Sequence, residues 1–233
     1  MKRADPFDFS LRFVTPAFLA GAMEKEADTT LEHKNVKPRH RLIGSEGDGL
    51  RIPSLRGALR FWYRAKEGLA DTQTLARCEA EVFGGTEVGQ GLRLIPRGQE
   101  EWKPLEITAQ VGGPASYLGY GVLHPEKKSD VSSHSKFGFR DAIDYEKAFS
   151  FRALGNAHQI EQLRRSLLLL HLFGGLGSRS RRGWGSVAVS GVELPERPDG
   201  EAMKDWLSTC LSRVWPADEP NRPSLRKDEP LYS

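Results

Sequence analysis

Three features of the amino-acid sequence predict an α+β fold. Phe7, Phe9, Leu11 and Phe13 alternate with Asp8, Ser10 and Arg12, the period-2 pattern of a half-buried strand. Two longer segments, residues 52–65 and 156–173, repeat their apolar residues with the period of an amphipathic helix. Further strand patterns lie before and after the second of these helices. Stripped of two long insertions, at about 24–50 and 112–144, the order becomes β-α-β-β-α-β, the split arrangement of ferredoxin-like (RRM-like) domains.

The opening strand sets four apolar side chains on one face, which favours a core role over base stacking. Residues 24–50 are polar and aperiodic and read as a long functional loop. In the helix IPSLRGALRFWYRA, Ser54 suits the N-cap with Pro53 just before it, and Leu55, Ala58, Leu59 and Trp62 form an apolar stripe. A second helix, residues 72–83, ends in Phe83-Gly84-Gly85, a C-cap signal. Strands are expected at 92–95, 105–111 and 145–154, with the loop-like stretch 112–144 between the last two. Asn156 opens an apolar helix in which Ile160, Leu163, Leu167 and Leu170 face inward, and Phe173-Gly174-Gly175 closes it. A last strand covers 184–192, and 200–215 has a helical pattern. The domain therefore spans 1–195, and 196–233 adds a helix and a Pro-rich tail carrying Pro216, Pro220, Pro223 and Pro230.

With 233 residues, 38% of them hydrophobic and 28% charged, the chain can bury a real core. No apolar run approaches the ~20 residues that span a bilayer and no signal peptide is evident, so no membrane partner is expected. Cys78 and Cys210 are far apart and form no CxxC pair, which argues against a zinc site or a disulfide framework and for a reducing cytoplasm. The sequence contains no P-loop, no GxSxG elbow and no GxGxxG after a strand, so no cofactor and no metal are expected.

Net charge is only +3, but its distribution is uneven. Between Gly49 and Lys66 lie Arg51, Arg56, Arg60, Arg64 and Lys66 with no acid, whereas from Glu193 onward nine acids face six bases. Arg56, Arg60 and Arg64 recur every four residues on one helix face, where like charges repel by a few tenths of a kcal/mol per pair. Such a row makes sense beside an anion, and replacing Arg56 and Arg60 is expected to leave the helix as stable or more so. The second basic segment, FGGLGSRSRRGWGSV at 173–187, combines Gly174, Gly175, Gly177, Gly183 and Gly185 with Arg179, Arg181 and Arg182. Glycine allows close backbone approach, and arginine offers a planar fork of donors that fits phosphate oxygens. The candidate contacts to a sugar-phosphate polyanion are therefore Arg51, Ser54, Arg56 and Arg60 at the first helix, and Gly174, Gly175, Gly177, Ser178, Arg179, Ser180, Arg181, Arg182, Gly183 and Trp184 in the loop. Trp184 or Trp62 could stack on a base, although core packing suits Trp62 better.

Three stretches resemble the RAMP superfamily of CRISPR-associated RNA-binding proteins, and more narrowly the first-numbered Cmr subunits of type III-B effector complexes. LRFVTPAFLAGA at 11–22 is similar to the family's opening strand and turn, RIPSLRGALRFWYRA at 51–65 to its signature helix, and FGGLGSRSRRGWGSV to its glycine-rich loop before the last strand. The resemblance implies a non-catalytic subunit that binds CRISPR guide RNA near its 3′ region, meets target RNA, and assembles with other RAMP subunits. Relatives usually carry two such domains, and too little follows Leu194 for a second. The resemblance also opens an alternative, a metal-independent CRISPR RNA-processing endoribonuclease, because some RAMP proteins cut repeats. That chemistry needs a base, usually histidine, and a cation for the oxyanion. His33, His40, His124, His134 and His158 lie in loops or at a helix start, His171 lies on the apolar helix, and Asp141 and Asp144 lie near His134 in sequence.

Overall fold

The computed structural model describes residues 5–19, 24–27, 40–43, 50–68, 71–99, 104–109, 113–119, 122–125, 142–198 and 202–216. In chain order the elements are β1 (Phe7–Phe13), β2 (Glu24–Ala27), β3 (His40–Ile43), α1 (Ile52–Glu67), α2 (Thr72–Phe83), β4 (Arg93–Gln99), β5 (Pro104–Leu105) and β6 (Thr108–Ala109). They continue with α3 (Pro114–Leu118), β7 (His124–Pro125), β8 (Ala142–Ile143), β9 (Ala148–Leu154), α4 (Ala157–Phe173), β10 (Val187–Ser190) and α5 (Met203–Val214).

Four strands make one antiparallel sheet in the order β10-β1-β9-β4. Alternation along β1 fixes its register, because a slip of one residue would turn Phe9 and Leu11 to the wrong face. Phe9 sits opposite Phe151 and Leu11 opposite Val189, so the apolar faces of three strands coincide. The rings follow suit, with Phe9 and Phe151 stacked at 5.4 Å and Phe13 edge-on to Phe149 at 5.7 Å. Against this face pack Leu55, Leu59 and Tyr63 of α1 and Ile160, Leu163, Leu167 and Leu170 of α4. Each such buried Leu or Phe contributes about 1.5–3 kcal/mol relative to exposure. The core reading of the β1 aromatics holds.

The opposite strand face carries Asp8, Ser10, Arg12, Ser150, Arg152 and Ser190. Arg152 donates to both carboxylate oxygens of Asp8, at 2.7 and 2.6 Å, and this fork holds the Asp8 carboxyl below the usual carboxylate range. The pair joins neighbouring strands at a directly opposed position.

Helix starts follow local chemistry. Asp71 accepts from the backbone N–H groups of Gln73 and Thr74, both at 3.0 Å, and so caps α2. Asn156 and Gln159 form a reciprocal capping box at α4. The start of α1 differs from expectation: Ser54 is not the cap, because the helix already begins at Ile52 with Arg51 at the N-cap and no side-chain cap bond. Pro53 explains the shift. It lies in the first turn, where an N–H would find no helical partner anyway, so the helix passes through it.

The regions read as loops hold more structure than their aperiodic sequence suggested. Within 24–50, β2 and β3 pair antiparallel. The strand expected at 105–111 is instead two short pieces, with β5 pairing to β8 and β6 to β7, away from the main sheet. Their apolar residues join a satellite cluster of Phe18, Ala109, Val122, Leu123 and Ala142, flanked by Ile107 and Trp184. At the other end, Leu168 and Leu169 of α4 turn away from the sheet to meet Val214, Leu211 and Trp215. The Trp215 indole also donates to the Lys66 carbonyl at 3.1 Å, so α5 is docked on the domain. The Pro-rich stretch after Pro216 lies outside the described residues.

Candidate nucleic-acid interface

The loop between α4 and β10 is held against the turn that follows β1. Val14 N–H donates to the Ser186 carbonyl at 2.8 Å, Gly185 N–H to Pro16 at 2.9 Å, and Ser178 N–H to Phe18 at 2.9 Å. The Thr15 hydroxyl donates to the Gly183 carbonyl at 2.7 Å and accepts from Ser186 N–H at 3.0 Å. These bonds give a glycine-rich segment a fixed shape.

The glycines serve that closure. Gly177 has φ 96°, and a Cβ there would stand 2.7 Å from the Phe18 carbonyl oxygen. Gly185 has φ 68°, and its Cβ would collide with the Leu176 carbonyl oxygen. Gly174 lies against Leu170 and Trp62, and Gly175 against Gly185 and Ser180. The close approach expected for a sugar-phosphate backbone is therefore used at these four positions on the protein's own chain. Gly183 is different: nothing lies within 4 Å of where its Cβ would be.

Arg179 has φ 63°, the left-handed region, and is the single non-glycine residue with positive φ among the described residues. It enters a short 3-10 turn, Ser180–Arg182, closed by a 2.8 Å bond from Arg182 N–H to the Arg179 carbonyl. Ser178, Arg179 and Ser180 are half-buried, and Arg181 and Arg182 are exposed. The Arg181 guanidinium lies 6.0 Å from the Phe61 ring centroid, and that of Arg182 lies 5.3 Å from Tyr117 while donating to the Tyr117 carbonyl at 2.9 Å. Sequence reasoning missed both aromatics. Phe61 carries a weak signal, an aromatic off the apolar stripe of α1, whereas Tyr117 lies in a stretch with no periodicity at all. Trp184 is half-buried, edge-on to Phe18 at 5.2 Å, and its buried indole N–H has no hydrogen-bond partner among the described residues.

The first basic segment has a different surrounding. Arg56 donates to the carbonyls of Phe83 at 2.6 Å and Leu92 at 3.2 Å. Arg60 donates to the Gly84 carbonyl and approaches Glu79 at 3.5 Å, and Arg64 holds both oxygens of Glu79 at 3.0 and 2.8 Å. The row clamps α1 to the C-terminal end of α2, where unpaired carbonyls carry partial negative charge. Burial pulls the Arg56 pKa down, with Arg60 adding to the effect. This reverses the expectation that removing Arg56 and Arg60 would leave stability unchanged or improved. Repulsion along one helix was legible, but the carbonyls that offset it come from distant sequence. Arg51 and Ser54 remain exposed at the start of α1.

His171 is partly buried, and its Nδ1 accepts from the Val189 N–H at 3.0 Å; burial pushes the imidazole pKa down, helped by Arg197. Burial likewise pushes the Tyr63 phenol up. His158 is exposed at the start of α4, and Asp144 accepts from the Tyr145 N–H at 2.6 Å. The side chains of His33, His40, His124, His134 and Asp141 lie outside the described residues. Cys78 and Cys210 are free thiols. Among the described residues no group of His, Cys, Asp and Glu is arranged to hold a metal, and no helix is long and apolar enough to cross a membrane.

Fold and site together define an α+β protein with a helix-backed antiparallel sheet and an arginine-bearing glycine loop leading into its edge strand. The family model described as the RAMP superfamily matches residues 10–188, and the chain belongs to that superfamily. It is similar to the CRISPR system Cmr subunit Cmr1-1 of Pyrococcus furiosus, 27% identical over 143 residues that make up 60% of this chain and 40% of that protein. The crystal structure of Cmr1 from Pyrococcus furiosus in its apo form shares the fold, with a TM-score of 0.50 and 20% identity across 91% of this chain and 58% of the other. A chain of the type III-B Cmr-beta complex bound to cognate target RNA gives a TM-score of 0.44 at 16% identity, over 79% of this chain and 58% of that one. The chain thus spans about half the length of these relatives.

Proposed function

We propose that this chain is a non-catalytic RNA-binding subunit of a type III-B, Cmr-like CRISPR effector in the cytoplasm. It contacts guide RNA, toward the 3′ region, and target RNA, alongside other RAMP subunits. Membership of the RAMP superfamily and similarity to Cmr1-1 support the assignment. The strand order β10-β1-β9-β4, with α1 and α4 in its crossovers, supports the finer reading of the domain as ferredoxin-like.

The observation that carries the reading is Arg179. A left-handed conformation costs a residue with a Cβ about 1–2 kcal/mol, and the other described positive-φ positions are all glycine. An arginine held there by a pinned loop is strain of the kind that marks binding sites. With Arg181 and Arg182 it gives three arginines within four residues of one short turn, which Gly183 closes. Arg51 and Ser54 offer a second phosphate contact at the first turn of α1, where backbone N–H groups favour anions. Arg56 and Arg60 serve this surface by fixing α1 in place. His171 has one ring nitrogen engaged by the backbone, which supports a structural over a catalytic role.

Binding of single-stranded RNA by the full chain should weaken with salt, log K falling against log salt with a slope of roughly −0.7 for each phosphate contacted. The same mixtures, with and without Mg²⁺, should show intact RNA on a denaturing gel. A flat salt profile sinks the binding surface, and cleavage products sink the non-catalytic assignment.

A further inference from the structure

We infer that Phe61 and Tyr117 are stacking seats for unpaired RNA bases, each covered in the free protein by an arginine of the glycine loop. The inference rests on the RNA-binding reading above and extends it from phosphates to bases. Tyr117 is 72% exposed and Phe61 45%, so both rings offer apolar surface to a ligand from solvent. Each ring has a guanidinium against it, Arg181 at 6.0 Å from Phe61 and Arg182 at 5.3 Å from Tyr117. A guanidinium is flat, cationic and π-bonded, and it stacks on a base as readily as on a ring. A base entering either seat can slide between ring and arginine, keeping one face on each.

The two arginines are consecutive in one short turn, and that turn is fixed by the bonds from residues 14–18. The loop therefore places one seat on α1 and another on α3 to either side of the same phosphate-binding arginines. The seat on α1 is extended: Phe61 meets Trp62 at 5.2 Å, and Trp62 meets Phe173, 52% exposed, at 6.3 Å. An aromatic ledge beside cationic groups fits a ligand with flat apolar faces and a negative backbone. Single-stranded RNA is that ligand, whereas an apolar protein surface would leave the arginines to be desolvated without compensation.

The test compares two oligomers of equal length at one salt concentration, single-stranded RNA and its abasic counterpart, which keeps the phosphates and lacks the bases. The full chain should bind the natural oligomer more tightly. Phe61→Leu and Tyr117→Leu should each weaken natural RNA by about 5- to 150-fold, the fold-change equivalent of one stacked base, while leaving the abasic oligomer unchanged. Tyr117 lies outside the core clusters, so its variant remains informative even where Phe61→Leu lowers the melting temperature. Equal binding of both oligomers by the parent, or equal loss of both in the variants, overturns the seats and leaves the phosphate-binding reading standing. Failure of both oligomers to bind the parent overturns both readings. Variants that keep RNA affinity but lose association with another RAMP subunit also overturn the seats, making the surface a protein interface.

Discussion

Two clusters of three arginines each, on α1 and in the glycine loop, differ in what surrounds them. On α1, Arg56, Arg60 and Arg64 point at carbonyls and a carboxylate of their own chain. In the loop, Arg181 and Arg182 lie exposed against aromatic rings, with Arg182 also donating to the Tyr117 carbonyl. Composition does not separate these cases. What separates them is that the end of α2 and the residue before β4 bring carbonyls to the first cluster, whereas the second emerges from a loop whose backbone is tied to residues 14–18. Arginine density thus marks a place where negative charge must come, and the tertiary structure decides whether the protein supplies it.

Substitutions can break this contrast from either side. The largest effect is expected from Arg179→Ala, Arg181→Ala and Arg182→Ala combined. RNA affinity should drop by about two orders of magnitude or more, since each charge-assisted phosphate contact contributes roughly 1.5–3 kcal/mol. Stability should move by less than about 1 kcal/mol for each of the exposed Arg181 and Arg182, and somewhat more for the half-buried Arg179. The loss in a thermal melt should therefore stay well below the loss in RNA titration on the same sample. An unchanged affinity would place these arginines in plain solvent.

The Arg56→Ala, Arg60→Ala pair should show the reverse, a loss of about 2–4 kcal/mol in denaturant unfolding as the carbonyls of Phe83, Gly84 and Leu92 lose their donors. The RNA affinity of the fraction that stays folded should fall far less than in the loop variant. A stable pair variant with lost RNA binding would erase the distinction between the clusters.

The smallest effect sharpens it. Arg179→Gly removes the left-handed strain but adds unfolded-state entropy and gives up the contacts of a half-buried side chain, so melting should shift by no more than a few degrees. RNA affinity should still fall, showing that the arginine occupies its position at the expense of the backbone. A fall in melting temperature with intact affinity would make Arg179 a purely structural residue.

Much of the frame was legible because it depends on near neighbours. The alternation of β1, the stripe of α1, the residues of α2 and the inward face of α4 each follow from spacing within a dozen residues. The elements that escaped depend on distant partners. Leu168 and Leu169 sit on the second face of α4 and make sense only once α5 is docked there. The short strands around Thr108 and Ala142 have no period to display, and their apolar residues belong to a satellite cluster built partly from Phe18. At the site, the loop and its arginines were visible as a motif. Glycine spacing alone suggests a cradle for RNA, yet most of these glycines fit the chain to itself, and the pairing of Tyr117 with Arg182 exists only in the folded chain.

The bond from Thr15 to Gly183 links residues 168 positions apart. Contacts of such separation form slowly, because the loop they close must give up its freedom before any contact compensates for it. The glycine segment closes on itself through Leu176 N–H to the Gly185 carbonyl and Arg182 N–H to the Arg179 carbonyl. Its anchors on residues 14–18 form only as β10 docks beside β1, so the arginine turn reaches its place in the event that completes the sheet. An incomplete chain emerging from the ribosome thus exposes arginines but no organised surface, and stray nucleic acid meets only mobile charge until the first and last strands have found each other.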